Sequence, residues 1–232
     1  MFSVKTMDKG NFITFEGIDG SGKTSLIKAI AHELVAQGLD VLTTQEPGGT
    51  QLGMRLREVF LRVQSEEEIS PLAEALLFAA DRAQHVECLI KPALKAGKII
   101  ISDRFTDSTL AYQGAGRNLP LKLLEQLINI ASGGLTPDLT ILLDLPVQTA
   151  ILRKQNQGIQ VNRMDTEKAE FYERVRKAYL ELAARNPERF RIVSADKPFD
   201  EVKKETLNFI WDFLGSQKGY YSISKNKPEI SL

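Results

Sequence analysis

Short apolar runs bounded by turn residues alternate along the chain with longer stretches whose apolar positions recur every three to four residues. Asn11-Phe12-Ile13-Thr14-Phe15 is rich in strand formers and breaks at Gly17, which predicts a first strand. From Ser25 onward Leu26, Ile27, Ile30 and Leu34 fall at helical spacing and the pattern stops at Gly38, so a helix follows directly. Val41-Leu42-Thr43-Thr44 reads as a second strand ending in the turn Pro47-Gly48-Gly49, and Met54 to Val63 as a helix. Ser70-Pro71 is a helix start, a capping hydroxyl before proline at the first helical position; Leu72, Leu76, Ala79 and Ala83 mark its expected buried face. Lys98-Ile99-Ile100-Ile101-Ser102 and Leu139-Thr140-Ile141-Leu142-Leu143 are apolar runs of the kind found in strands buried on both faces. Arg191-Ile192-Val193 is a last strand, before a helix from about Phe199 to Leu214. This alternation predicts an α/β fold in which helices cover both faces of a parallel sheet. Residues 1–215 read as one domain without internal repeats or linkers, and 216–232 as a polar tail.

The 232 residues carry 30 Lys+Arg against 30 Asp+Glu, so the chain lacks the basic excess of a general polyanion binder and no nucleic-acid partner is expected. A 43% hydrophobic and 26% charged composition is that of a globular protein and excludes disorder as the main theme. The longest purely apolar run, Ala75 to Ala80, is far short of the ~18 to 20 residues that cross a bilayer, so no membrane association is expected. The segment Met1 to Lys9 has no apolar stretch resembling a secretory signal. One cysteine, Cys88, cannot form an internal disulfide, which suits the cytoplasm; among apolar neighbours on a predicted helix it reads as an inert thiol.

The central chemical signal is Gly17-Ile18-Asp19-Gly20-Ser21-Gly22-Lys23-Thr24, a match to G-x-x-x-x-G-K-[ST] placed between a strand and a helix, as its mechanism requires. Glycines let backbone N–H groups curl around phosphate oxygens and the helix N-terminus adds its dipole; Lys23 supplies a point charge and the Thr24 hydroxyl a Mg²⁺ ligand. The ligand expected is a purine nucleoside triphosphate with magnesium. A GTPase would need an N-K-x-D base reader; Asn226-Lys227-Pro228-Glu229 ends in the wrong acid and lies in the tail. No apolar strand ends in the paired acids of motor ATPases, which leaves the small kinases that phosphorylate a second bound molecule. Asp103-Arg104 ends an apolar strand, at the sheet edge where ligands bind, and an arginine there can fork onto a phosphate. Phe78 and Arg82, spaced i, i+4, share a helix face: an aromatic to stack on a base and a guanidinium to bond its edge, although Phe78 taken alone reads first as a core residue.

With these stretches in order, together with Glu46-Pro47-Gly48-Gly49-Thr50, Leu77-Phe78-Ala79-Ala80-Asp81-Arg82, Ser108-Thr109-Leu110-Ala111-Tyr112-Gln113-Gly114 and Pro137-Asp138-Leu139-Thr140, the sequence resembles the bacterial thymidylate kinase family from about Asn11 to Leu214. The resemblance implies a three-layer nucleoside-monophosphate-kinase fold on a five-stranded parallel sheet, usually in a homodimer. Its activity would be transfer of the ATP γ-phosphoryl group to dTMP, giving dTDP. Another P-loop nucleotide or deoxynucleoside kinase is the alternative. By position the resemblance gives Phe78 and Arg82 the thymine, Arg104 the dTMP phosphate, Ser108 and Thr109 the base edge, and Tyr112 the sugar. Asp19 would sit near the sugar 3′-hydroxyl and the transferring phosphates. Glu46 and Arg57 would serve the acceptor side or the Mg²⁺ shell, and Gln113 joins the dTMP contacts.

No general base is needed, because a phosphate monoester with a second pKa near ~6 is already mostly a dianion at neutral pH. The enzyme's task is electrostatic, and Lys23, Mg²⁺ and Arg104 serve it. His32 and His85 read as solvated or packing residues. A further arginine is implied by the family, either in the phosphate loop or on a lid; the loop has none, so the lid at about 153–165 must supply it. That stretch is thinly basic and leaves Arg153 and Arg163 as alternatives, with Lys154 inferior because it lacks the planar fork.

Overall fold

The apolar runs pair side by side. In a computed structural model, which describes residues 10–61, 69–156 and 167–216, they form one sheet of five strands: β1 (Asn11–Glu16), β2 (Val41–Gln45), β3 (Ile99–Asp103), β4 (Leu139–Asp144) and β5 (Phe190–Ser194). The order is β2-β3-β1-β4-β5, and every pairing is parallel. Parallel neighbours require crossovers, and the described helices supply them: α1 (Lys23–Ala36), α2 (Gln51–Leu61), α3 (Pro71–His85), α4 (Lys91–Lys95), α5 (Thr106–Thr109), α6 (Leu121–Ser132), α7 (Val147–Asn156), α8 (Ala169–Arg185) and α9 (Phe199–Ser216). Two π-helical turns, Val86–Ile90 and Leu110–Gly116, extend α3 and α5.

The central strands are buried on both sides because their side chains alternate between two cores. Phe12 and Ile100 point to one, with Val86, Ile90, Leu94 and Phe105. Ile13, Phe15, Ile99, Ile101 and Ile141 point to the other, where Leu26, Ile27, Ile30 and Leu34 of α1 meet Val175 and Tyr179 of α8. Each such fully buried side chain contributes roughly 1.5–3 kcal/mol. Phe15 pairs with Asp103 and Gln45 with Asp103, so Glu16, Glu46 and Arg104 all emerge at the carboxyl edge of the sheet.

The predicted strands and first helices are present, with boundaries moved by a residue or more; α2 begins at Gln51, and Val63 lies outside the described residues, as do 217–232 of the polar tail. Helices α6, α7 and α8 went unread. The buried face assigned to α3 was wrong. Leu72 and Leu76 are 46% and 49% exposed and Ala79 and Ala83 are half-buried, whereas Glu74, Ala75, Asp81, Arg82 and His85 face inward. The inward face is polar because it meets polar partners, Gln113 at Glu74 and Glu46 at Arg82 and His85, so hydrophobicity misreports its orientation. Cys88 is exposed, contrary to its apolar surroundings in sequence, and its Sγ accepts from Gln84 Nε2 at 3.1 Å. Among the described residues no helix is long and apolar enough to cross a membrane.

Candidate active site

The loop between β1 and α1 is built on glycine. Gly22, immediately before α1, sits at φ 90°, and Gly20 at φ 86° lies so close to α7 that a Cβ would come 2.7 Å from the Ala150 carbonyl oxygen. Only glycine fits that second position without strain. No side chain caps the start of α1, so its first N–H groups and dipole face the loop. Lys23 is buried, and its Nζ donates to the carbonyls of Gly17 (3.0 Å) and Ile18 (3.1 Å), lying across the loop. Thr24 Oγ1 donates to Asp103 Oδ2 at 2.7 Å. A hydroxyl beside a carboxylate is a hard-oxygen set that suits Mg²⁺. Asp103 is thus a residue of this site that the sequence reading named only as part of a motif.

Opposite the loop stands Arg104, at φ 75°, a conformation that costs a non-glycine residue about 1–3 kcal/mol. The surroundings hold it there: Arg104 N–H donates to Phe15 O (3.0 Å), Ser102 Oγ to Arg104 O (2.8 Å), and the next N–H, of Phe105, to Glu16 Oε1 (2.8 Å). The guanidinium donates through Nη2 to Asp19 Oδ1 (2.8 Å) and Tyr112 Oη (3.0 Å), and through Nη1 to Ser108 Oγ (3.1 Å) and Tyr179 Oη (3.0 Å). Asp19 belongs to the phosphate loop, so this ion pair joins the two halves of the cleft. Burial opposes the Asp19 charge, but Arg104, then Lys23 and Lys154, hold its carboxyl well below the usual range. Burial pushes the Tyr112 phenol up despite Arg104, so it is a hydroxyl that can donate to Asp19 Oδ2 at 3.3 Å.

A second cluster lies under the β2 edge. Arg82, 2% exposed, donates to Glu46 Oε2, Thr109 Oγ1 and Phe105 O, each at 2.9 Å. His85 is fully buried, with Nδ1 2.9 Å from Glu46 Oε1 and Nε2 2.7 Å from Thr44 Oγ1. It is therefore a hydrogen-bonded member of the cluster, more specific than the packing role expected, while His32 is exposed. Asp81 Oδ1 accepts from Gly48 N–H at 3.2 Å; burial, then Glu46, push its carboxyl up to about 6. Arg57 Nη1 donates to Pro47 O at 2.9 Å, packing over the same turn.

The structure thus brings Lys23, Thr24, Asp19, Arg104, Ser108 and Tyr112 around one cleft and Glu46, Arg82 and Thr109 into an adjoining network. Ser108 and Thr109, neighbours in sequence, join different clusters. Phe78 is half-buried, four residues before Arg82 on α3. Gln113 Nε2 donates to Glu74 Oε1 at 2.8 Å, between α3 and the π-helical turn. Arg153 Nη2 donates to Ala195 O at 2.9 Å beyond β5, whereas Lys154 lies 5.2 Å over the Tyr172 ring and packs by the loop at Gly20. Arg163, with the rest of the lid from 157 to 165, lies outside the described residues.

Sequence reasoning missed Glu16, Tyr179 and the specific role of His85. Glu16 had a signal, a lone acid ending a strand that is otherwise buried. Tyr179 had none, since it arrives from α8, 163 residues from the Glu16 side chain it touches.

A parallel sheet whose first strand feeds a glycine-rich loop and helix, with an anchored arginine facing that loop, defines a P-loop phosphotransferase. Within that class the comparisons are specific: the family model described as thymidylate kinase matches residues 15–206, and the chain belongs to the thymidylate kinase family. It is 49% identical over 199 residues to thymidylate kinase of Pelotomaculum thermopropionicum, covering 86% of this chain and 92% of the relative. It is 49% identical over 209 residues to thymidylate kinase of Desulfovibrio desulfuricans (88% and 96% covered) and 45% identical over 199 residues to that of Nostoc sp. (86% and 92%).

Proposed function

We propose that the protein transfers the γ-phosphoryl group of ATP to dTMP, yielding dTDP and ADP. The observation that carries this reading is the Arg104–Asp19 ion pair at 2.8 Å. It sets the Arg104 guanidinium, whose two Nη groups are held by Asp19, Tyr112, Ser108 and Tyr179, as a fixed cation for an acceptor phosphate against the loop that cradles the donor. The reaction then needs no proton abstraction: two anionic phosphates are aligned in line, and charge accumulating between them is neutralised.

In this reading Gly17, Ile18, Asp19, Gly20, Ser21, Gly22, Lys23 and Thr24 bind ATP, with Lys23 on its phosphates. Thr24, with Asp103 beside it, would hold magnesium, which when bound would supply further neutralisation of the donor phosphates. Arg104 takes the dTMP phosphate, and Asp19 and Tyr112 border the sugar. Phe78, Arg82, Thr109 and Gln113 serve the nucleotide's base end, with Glu46 and Arg57 supporting them through Arg82 and the Pro47 turn; Ser108, given the base edge by the resemblance, instead bonds Arg104, Glu16 and Tyr179 and braces the phosphate end. Arg82 Nε and Nη2 face Glu46 and Phe105, and Nη1 spends one of its two N–H groups on Thr109, which leaves the other for a ligand. Arg153 is tied to Ala195, which favours Arg163 as the lid cation. The enzyme works as a single-domain subunit of a cytoplasmic homodimer, and exposed Leu72 and Leu76 on α3 supply apolar surface for that contact.

A coupled ADP-release assay across dTMP, dUMP, dCMP, dGMP and the ribonucleoside monophosphates tests the reading. Preferential turnover of dTMP is expected. Faster turnover of another acceptor would transfer the assignment to another P-loop nucleotide kinase, and no turnover with any acceptor would overturn it.

A further inference from the structure

Behind Arg104 three oxygens form a closed triangle. Glu16 Oε2 lies 2.6 Å from Ser108 Oγ and 2.8 Å from Tyr179 Oη, and the two hydroxyl oxygens lie 2.8 Å from each other. Contacts of this length are hydrogen bonds, and each needs one bridging proton. Ser108 and Tyr179 bring one each. Arg104 Nη1 donates to both hydroxyl oxygens from outside the triangle, at 3.1 and 3.0 Å, so its protons bridge none of the three edges. With an ionised Glu16 the triangle has three edges and two protons. With a neutral one the count closes: Glu16 donates to Tyr179, Tyr179 to Ser108, and Ser108 back to Glu16, while each hydroxyl keeps a lone pair for Arg104.

We propose that Glu16 carries this third proton in the binding-competent enzyme, and that Glu16 and Tyr179 are positioning residues which hold Arg104 for the acceptor phosphate through a proton-closed ring. The proposal rests on Arg104 meeting that phosphate. The grip is double, because Glu16 Oε1 also accepts the Phe105 N–H and thereby fixes the backbone just past the strained Arg104. The other charged and titratable groups that act on Glu16 come from every side: Asp107 from α5, Arg104 beyond β3, Lys23 from α1, Arg189 before β5, and the Tyr112 and Tyr179 phenols. Burial, then Asp107, raise the Glu16 carboxyl to about 7 against the opposing pull of Arg104 and its hydrogen bonds.

Two consequences follow from charge. Above neutral pH an ionised Glu16 competes with the phosphate for Arg104, so dTMP binding weakens. Conversely, a phosphate dianion arriving at Arg104 raises the proton affinity of Glu16, which takes a proton from solvent. The phosphate's own second ionisation, near ~6, has the opposite sign, since binding as the dianion releases protons.

Calorimetric titration of dTMP into the full chain at pH 7.5, in buffers of different ionisation enthalpy, tests this. The parent is expected to take up on the order of half a proton, and Glu16→Gln, which cannot ionise, to lose that uptake. The dTMP KM should rise from pH 7 to 8.5 in the parent more than kcat falls, and stay flat in Glu16→Gln. Tyr179→Phe opens the triangle and leaves Ser108 as the one hydroxyl on an ionised carboxylate, which disfavours the charged form, so uptake should move to higher pH. This second variant decides the matter if Glu16→Gln does not fold. No uptake in the parent, equal uptake in Glu16→Gln, or an unmoved profile in Tyr179→Phe would overturn the proposal. Parental dTMP affinity in Arg104→Ala would instead overturn the phosphate assignment beneath it.

Discussion

Replacing Arg82 by alanine separates a structural ion pair from a ligand contact. Arg82 and Glu46 are 2% and 4% exposed, and their charged atoms approach to 2.8 Å. Truncating the arginine leaves the Glu46 carboxylate buried with His85 Nδ1 on one oxygen and no cation on the other, and leaves Thr109 Oγ1 and Phe105 O without the donors that served them. Removing one member of such a pair costs about 3–5 kcal/mol, mostly the penalty of the charge left behind. In a protein of this size 1 kcal/mol corresponds to roughly 2–4 °C in Tm, so a fall of about 6–20 °C is expected. The melts are run without nucleotide, because ligand would add its own stabilisation. Adding Glu46→Gln to Arg82→Ala removes the stranded charge and should recover at least ~1 kcal/mol, a coupling that a double-mutant cycle reads directly. A loss under ~1 kcal/mol for Arg82→Ala, or no recovery in the double variant, would refute the reasoning and leave Arg82 acting only through the nucleotide.

Gly53→Ala should destabilise by about 1–3 kcal/mol, as overpacking does; its Cβ would fall 2.2 Å from Asp81 Oδ1, a buried oxygen with no room to retreat, and a urea titration checks this. Asp19 has a carboxyl pKa held below its ordinary value of 3.8 in the folded protein, so its contribution to stability is present above that value and lost as pH falls. Asp19→Asn should therefore flatten the acid limb of the stability profile below ~4, and an unchanged acid limb in pH-dependent melts would count against the Arg104–Asp19 pair. Arg163→Ala should lower kcat by about 10² or more with little change in dTMP KM, as for lost transition-state charge stabilisation, and an unaltered kcat under saturating substrates would remove Arg163 from the lid role.

Much of the fold was legible because its signals are local. The Ile99–Ile101 run could only be a doubly buried strand, and Gly17 to Thr24 fixes its own loop through glycine backbones that need no distant partner. The phosphate-binding half of the site was readable for the same reason. The acceptor half was readable only by resemblance, since Arg82, Arg104 and Tyr112 acquire meaning from who faces them. Helix α3 shows how periodicity fails there: Leu72 and Leu76 face outward while its charged face turns inward to Glu46, Thr109 and Gly48.

The balance of 30 basic and 30 acidic residues leaves no basic excess, and the spacing of glycines, lysine and threonine located a loop of the kind that takes a phosphate. What only the tertiary structure decided is how the acceptor arginine is held. Asp19 and Arg104 are 85 residues apart and Glu16 and Tyr179 are 163 apart, and parallel pairing of β1 with β3 and packing of α8 bring them within hydrogen-bond reach. Charge and burial act over a few ångströms of space and not along the chain, so a glutamate that reads as the end of a strand becomes part of a buried, hydrogen-bonded brace behind Arg104.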